Sequence, residues 1–144
     1  MFSKACQYAI RATLFIAQRS LEGERVRLKT IAKAIDSPEA FTAKILQQLA
    51  RNKIIHSIKG PSGGFEIADH DLDTIRLIKI VEAMDGDQVF DGCGLGLKQC
   101  NAAKPCPVHN KFKIIREELK NMLVTTNIRE LATDLSVGST VLRM

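Results

Sequence analysis

Three of the four cysteines, Cys93, Cys100 and Cys106, fall within 14 residues, and His109 follows three positions after the last. Thiolate sulfur is a soft donor that suits iron-sulfur clusters, zinc or copper(I). Structural zinc sites usually present cysteines roughly two to four residues apart. Here six and then five residues intervene, so zinc is off-pattern and a wide loop suits a larger inorganic core. Three sulfurs leave a fourth ligand to be found. His109 is the nearest candidate, because imidazole replaces thiolate at iron and shifts a cluster's potential. In a reducing compartment, clustered cysteines read as metal-binding or redox-active rather than as a disulfide framework, so a thiol redox switch or a zinc site stays open beside the cluster. Cys6, among apolar neighbours, is expected to be a small buried side chain.

These donors sit in a stretch, Gly92–Pro107, with three Gly, two Pro and three Cys and neither helical nor strand periodicity. Loops of that length inside a compact domain are usually functional. After it, Phe112, Ile115, Leu119, Met122 and Leu123 mark a long amphipathic helix over about Asn110–Thr125. Asn127 to Glu130 then forms a capping box for a short final helix. A long apolar helix outside a small domain predicts pairing with its equivalent in a symmetric homodimer, part of its surface packing back onto the first and fourth helices.

The N-terminal half has a different character. Residues 1–65 carry 11 Lys and Arg against 4 Asp and Glu, whereas 66–144 carry 10 against 12. The basic excess therefore belongs to the first half, as in a nucleic-acid-binding module joined to something else. Ala5, Ala9, Ala12 and Ile16 predict a helix over Lys4–Ser20, broken near Gly23. Leu28, Ile31, Ala32 and Ile35 predict a short second helix. Ser37 is expected to cap a third, with Pro38 at its first position, running to about Asn52. Two short helices joined by a tight polar turn are the helix-turn-helix arrangement, whose second helix enters a major groove. Ile45 and Leu49, with Phe41 or Thr42, make its buried stripe. Ala40, Ala43, Lys44, Gln47 and Arg51 are left for base edges and phosphates.

Directly afterwards, Ile54–Ile58 and Gly64–Ile67 read as strands around Lys59-Gly60-Pro61-Ser62-Gly63. Such a wing, tipped with Gly, Pro and Ser and carrying Lys59, can lie against phosphates or a minor groove. His56 and His70 flank it as surface groups. Asp69–Thr74 reads as a polar link, and Ile75–Met84 as a fourth helix.

At 144 residues the chain fits one compact unit: a winged helix-turn-helix over 1–72, and a helix, the cysteine loop 92–107 and a dimerisation helix over 73–144. The fold class is mainly α with a small β-hairpin wing. No window approaches the roughly 18 apolar residues of a membrane span, and Met1–Ser20 is too polar for a secretory signal, so a cytoplasmic location without membrane attachment is expected. Nothing pairs a nucleophile with a base, so no enzyme is expected. A small iron-sulfur electron carrier would leave the helix-turn-helix, wing and basic half unused.

The sequence resembles the Rrf family of bacterial winged-helix transcription regulators, in its iron-sulfur cluster type. The resemblance rests on Ser3-Lys4 with Tyr8-Ala9-Ile10-Arg11, on Leu49–Ile55, on the wing Lys59–Phe65, and on the three-cysteine loop with His109. It implies a homodimer on a pseudo-palindromic double-stranded DNA operator. The implied DNA contacts come from Ser3, Lys4, Ala40, Phe41, Lys44, Gln47, Arg51, Lys59, Ser62 and Gly63. Cys93, Cys100, Cys106 and His109 would ligate the iron of a cluster, 2Fe-2S favoured and 4Fe-4S the other form, that senses redox state, nitric oxide or iron-sulfur status. The chain departs from the family in three places. The first cysteine gap is one residue longer than usual. Gln7 stands where some members offer an acidic ligand from the partner's first helix, and Ala43 where some relatives carry a Glu that restricts DNA choice.

Overall fold

A computed structural model describes residues 1–143. The helices are α1 (Lys4–Leu21), α2 (Leu28–Ala34), α3 (Glu39–Arg51), α4 (Asp69–Thr74), α5 (Leu77–Asp85), α6 (Gln88–Asp91), α7 (His109–Thr125) and α8 (Ile128–Ser136); the strands are β1 (His56–Ile58) and β2 (Gly64–Glu66). The mainly helical class with one hairpin is as the sequence predicts.

α1 is the central post. Its Cys6, Ala9, Ala12, Ile16 and Ala17 are shut off from solvent, and α3, α5 and α8 pack around it. Small residues on this face let neighbouring helices approach, and Ile31, Leu46, Leu49, Leu72, Ile80 and Ile128 fill the space between. Each such side chain contributes about 1.5–3 kcal/mol by burial.

The hairpin is antiparallel, with His56 opposite Glu66, Ser57 opposite Phe65 and Ile58 opposite Gly64. Val26 extends it, exchanging backbone bonds with Phe65 at 3.1 and 2.7 Å. Two glycines permit this closeness. A Cβ on Gly63 would collide with the Ile58 carbonyl, and one on Gly64, whose φ is +140°, would lie 2.8 Å from the Val26 oxygen.

Several local expectations are corrected. Pro38, not Ser37, occupies the cap position of α3, and no side chain caps the helix; the Ser37 hydroxyl lies 2.9 Å from Thr42 Oγ1 and is hydrogen-bonded there. The predicted polar link Asp69–Thr74 is helical. Its two first-turn aspartates suit a helix N-terminus, Leu72 is buried beneath it, and Arg129 of α8 grips Asp69 and Asp73. The next helix starts only at Leu77, because Ile75 and Arg76 are extended and pair with the segment before α8: Leu77 N donates to Thr126 O at 3.1 Å and Ile128 N to Ile75 O at 3.2 Å. The short α6 before the cysteine loop is not signalled by periodicity. Asn127 does cap α8, accepting from Glu130 N at 2.8 Å. α7 packs on α5, the fourth helix of the sequence reading, and on α6, while the partner that packs most extensively on α1 is α8.

Candidate functional site

The cysteine loop leaves α6 at Gly92 and returns to the chain's body at His109, the first residue of α7. Both ends are tied: Gly92 N donates to Gln88 O at 2.9 Å, and His109 N to Cys106 O at 3.0 Å. Between them the donors form two pairs. Cys93 Sγ lies 4.0 Å from Cys106 Sγ, and Cys100 Sγ lies 3.4 Å from His109 Nδ1. Two thiolates on one tetrahedral metal stand roughly 3.8 Å apart, and a thiolate and an imidazole nitrogen roughly 3.5 Å. Each pair therefore has the separation of two donors on one metal. Among the described residues, no three His, Cys, Asp or Glu side chains close on a single point. The four donors thus stand as two half-sites on one loop.

Cys93 is the thiol whose environment is tuned. The backbone N–H of Leu95, 3.4 Å from its sulfur, and that of Leu97 hold its pKa below the ordinary thiol value, with the Cys106 thiol adding to the effect. The turn that aims these amides closes on Gly96, at φ +74°. Cys100 and His109 border a cavity of about 350 Å³ between the loop, α6 and α7, where Lys113, Arg116 and Lys120 outnumber Asp91 and Glu117. Arg116 Nη1 donates to Cys100 Sγ at 3.3 Å and also to the Gly92 carbonyl. Cys6 has no such setting: burial, then the charge of Asp85, pushes its thiol up to about 12, leaving a neutral packing group. Gln7 is exposed and bonds Phe2 O at 3.1 Å.

On the helix-turn-helix, Ala40, Lys44, Gln47 and Arg51 are exposed along one face of α3, and Thr42, Ile45, Leu46 and Leu49 are buried beneath. Ala43 is half-buried. Phe41 is half-buried too, edge-on to Tyr8 at 5.6 Å, so it braces α3 against α1. Arg11 lies over the same Tyr8 ring at 4.5 Å and Lys4 at 5.9 Å. Lys59 and Ser62 are exposed at the wing tip, whereas Gly63 is buried. Ser3 is exposed but engaged: its hydroxyl caps α1 at Cys6 N, 3.0 Å, and bonds Asp85. His56 and His70 both reach Asp71, at 3.3 and 3.2 Å.

Two arginines at this face are missed by sequence reasoning. Arg27 Nη2 donates to the wing carbonyls of Gly60, at 3.2 Å, and Pro61. Arg25 bonds Ser62 O at 3.2 Å and Glu66 Oε2 at 3.0 Å. They alternate about Val26, whose pairing with Phe65 turns both toward the hairpin; that charged-apolar-charged alternation is the signal that identifies them. The wing is thereby set beside the N-terminal ends of α2 and α3, enclosing a groove of about 560 Å³ lined by Lys29, Thr30, Glu39 and Lys59.

Compared with known proteins, residues 2–134 match the family model Rrf2, described as iron-dependent transcriptional regulator. The chain belongs to the Rrf2 family. This Rrf2 chain is 31% identical to a protein of Aquifex aeolicus described as an HTH-type transcriptional regulator, over 91% of this chain and 90% of the relative. Among solved structures, it resembles CymR, the global cysteine regulator of B. subtilis, with a TM-score of 0.76 and 20% identity, covering 92% of this chain and 96% of that one. It also resembles T. potens IscR, with a TM-score of 0.74 and 16% identity over 98% and 92%. These likenesses establish the winged-helix regulator fold. No helix among the described residues is long and apolar enough to cross a membrane.

Proposed function

We propose that this Rrf2 transcriptional regulator binds double-stranded DNA as a homodimer, and that an iron-sulfur cluster held by Cys93, Cys100, Cys106 and His109 sets its DNA affinity. One observation carries the reading: thiols and imidazole stand at metal-sharing distances, 4.0 and 3.4 Å, on a loop packed against α7. Two donor pairs suit a two-iron cluster, in which each iron takes two protein ligands. When bound, that cluster supplies a centre reactive toward oxidants and nitric oxide.

The chain's own residues supply the rest. The outer face of α7 carries Ile114 and Ile115, 60% and 55% exposed, with Met122 and the edge of Phe112. This patch is the proposed seam with a second copy, and a two-fold dimer suits a pseudo-palindromic operator. Lys44, Gln47 and Arg51 would meet the major groove, and Lys59 on the arginine-braced wing the neighbouring phosphates or minor groove. Ligation by four donors requires the loop to hold its two halves together. The loop's shape would then differ between loaded and empty protein, and unequal affinity of those two shapes for DNA couples the sites.

The test is fluorescence anisotropy on duplexes recovered by selection from a random pool, with cluster-loaded and cluster-free protein side by side. Affinities differing several-fold between the two forms support the reading; equal affinities on every selected duplex defeat the sensing half. A second reading is favoured by the Cys93–Cys106 approach, since two thiols 4.0 Å apart need only a small movement to form a disulfide. In that case the same loop is a thiol redox switch, and protein isolated without air would contain neither iron nor sulfide.

A further inference from the structure

Arg116 is half-buried on α7, beside the cysteine loop. It lies seven residues after His109 and seven before Leu123, so the three share one side of α7, the side turned to its own chain: His109 is 7% exposed and Leu123 fully buried. Among the described residues, no carboxylate comes within 4.0 Å of its guanidinium. Both of its hydrogen bonds go instead to the cysteine loop, one to the Gly92 carbonyl where the loop begins and one to Cys100 Sγ, eight residues on. Both leave from Nη1, which spends that nitrogen's two N–H groups.

A half-buried guanidinium without a carboxylate partner is held by the acceptors it does reach, and a hydrogen bond from a cation is strongest to an anionic acceptor such as a thiolate. Arginine is suited to this, because the two N–H groups of one Nη lie fixed in the guanidinium plane and point to two acceptors at once.

We propose that Arg116 is the positioning residue of the cysteine loop: it clamps the segment Gly92–Cys100 to α7 and, by donating to Cys100 Sγ, raises the reduction potential of the centre that this sulfur ligates. The second half rests on the cluster reading above; the first does not. Donation to a ligating sulfur stabilises the more negative, reduced form, and hydrogen bonds to cluster sulfurs are among the determinants of potential. The clamp also makes α7, the proposed dimer helix, the element that feels the state of Cys100.

The experiment uses full-length R116Q, R116K and K120Q. Lys120 borders the same cavity, but its charge lies over the Phe90 ring at 5.4 Å, and it donates to no sulfur among the described residues. In cluster-free, reduced protein, amide exchange at Gly92, Leu95 and Gly96, which bond Gln88 O, Cys93 Sγ and Cys93 O, should be about tenfold faster in R116Q. It should be unchanged in K120Q. In reconstituted protein, spectroelectrochemistry should find the midpoint potential more negative in R116Q, partly restored in R116K and unmoved in K120Q. Unaltered exchange in R116Q overturns the clamp. Equal potential shifts in R116Q and K120Q reduce the effect to net charge and overturn the sulfur bond. A wild-type protein that takes up no cluster sinks the cluster reading alone, and the exchange measurement still decides the clamp.

Discussion

Gly94 lies flat against the ring of Phe112: a Cβ at that position would come within 2.5 to 2.7 Å of three ring carbons. One residue from Cys93 on the loop, and partly exposed on α7, these two groups join the candidate ligand loop to the proposed dimer seam. Gly94→Ala should push Phe112 outward, a repacking cost of about 1–3 kcal/mol. Sedimentation should find self-association weakened and the far-ultraviolet spectrum unchanged. Ile115→Glu should abolish the dimer while leaving the monomer folded, since Ile115 is 55% exposed. By contrast Leu123→Ala, at a fully buried site, should lower stability itself by about 2–5 kcal/mol.

Arg129 ties α8 to α4 through Asp73, at 2.6 and 3.1 Å, and Asp69, at 2.9 Å. The Arg129 hydrogen bonds hold the Asp73 carboxyl below its usual range. A depressed folded pKa contributes stability that is fully present above the unfolded value of about 3.9, and it is lost as pH falls through the lower folded value. Urea unfolding of wild type and Arg129→Gln should therefore differ at pH 7 and converge toward pH 3. A constant difference across that range would mean the contact acts by packing alone.

Two kinds of cation at the proposed DNA face should separate by salt dependence. Lys44→Ala and Lys59→Ala should each flatten the slope of log affinity against log salt by about one unit, as loss of one phosphate contact requires. Arg27→Ala, which removes the brace on Gly60 and Pro61, should weaken binding with a smaller change in slope. Equal slopes for all three would show Arg27 to be a phosphate contact rather than a brace.

Cys6→Ala should leave reconstitution untouched and cost little stability. In the folded protein Cys6 should resist alkylation at pH 8, while Cys93, with its thiol pKa lowered by backbone N–H groups, reacts readily. Mass spectrometry of the labelled peptides distinguishes them.

The helices of the head, the wing and α7 were legible because each carries an apolar period: Ile45 and Leu49 on α3, Leu119 and Leu123 on α7. α4 was not, since only Leu72 of its six residues is buried and its clamp, Arg129, lies 56 residues on from Asp73. Arg25 and Arg27 were legible as charge but not as braces, because their partners are backbone carbonyls of the wing, which composition does not reveal. The candidate donors of the cysteine loop stand out by residue type and spacing. Their division into Cys93 with Cys106 and Cys100 with His109 does not, being fixed by turns at Gly96 and at the start of α7 rather than by separation along the chain.

The central claim is tested most directly by anaerobic reconstitution with iron and sulfide, followed by Mössbauer spectroscopy on wild type, the Cys93, Cys100, Cys106 triple Ala variant and His109→Ala. The account predicts an iron-sulfur spectrum in wild type, its disappearance in the triple variant and a changed iron environment in His109→Ala. A wild-type protein that stays colourless and iron-free, or a triple variant that keeps the wild-type spectrum, would contradict it.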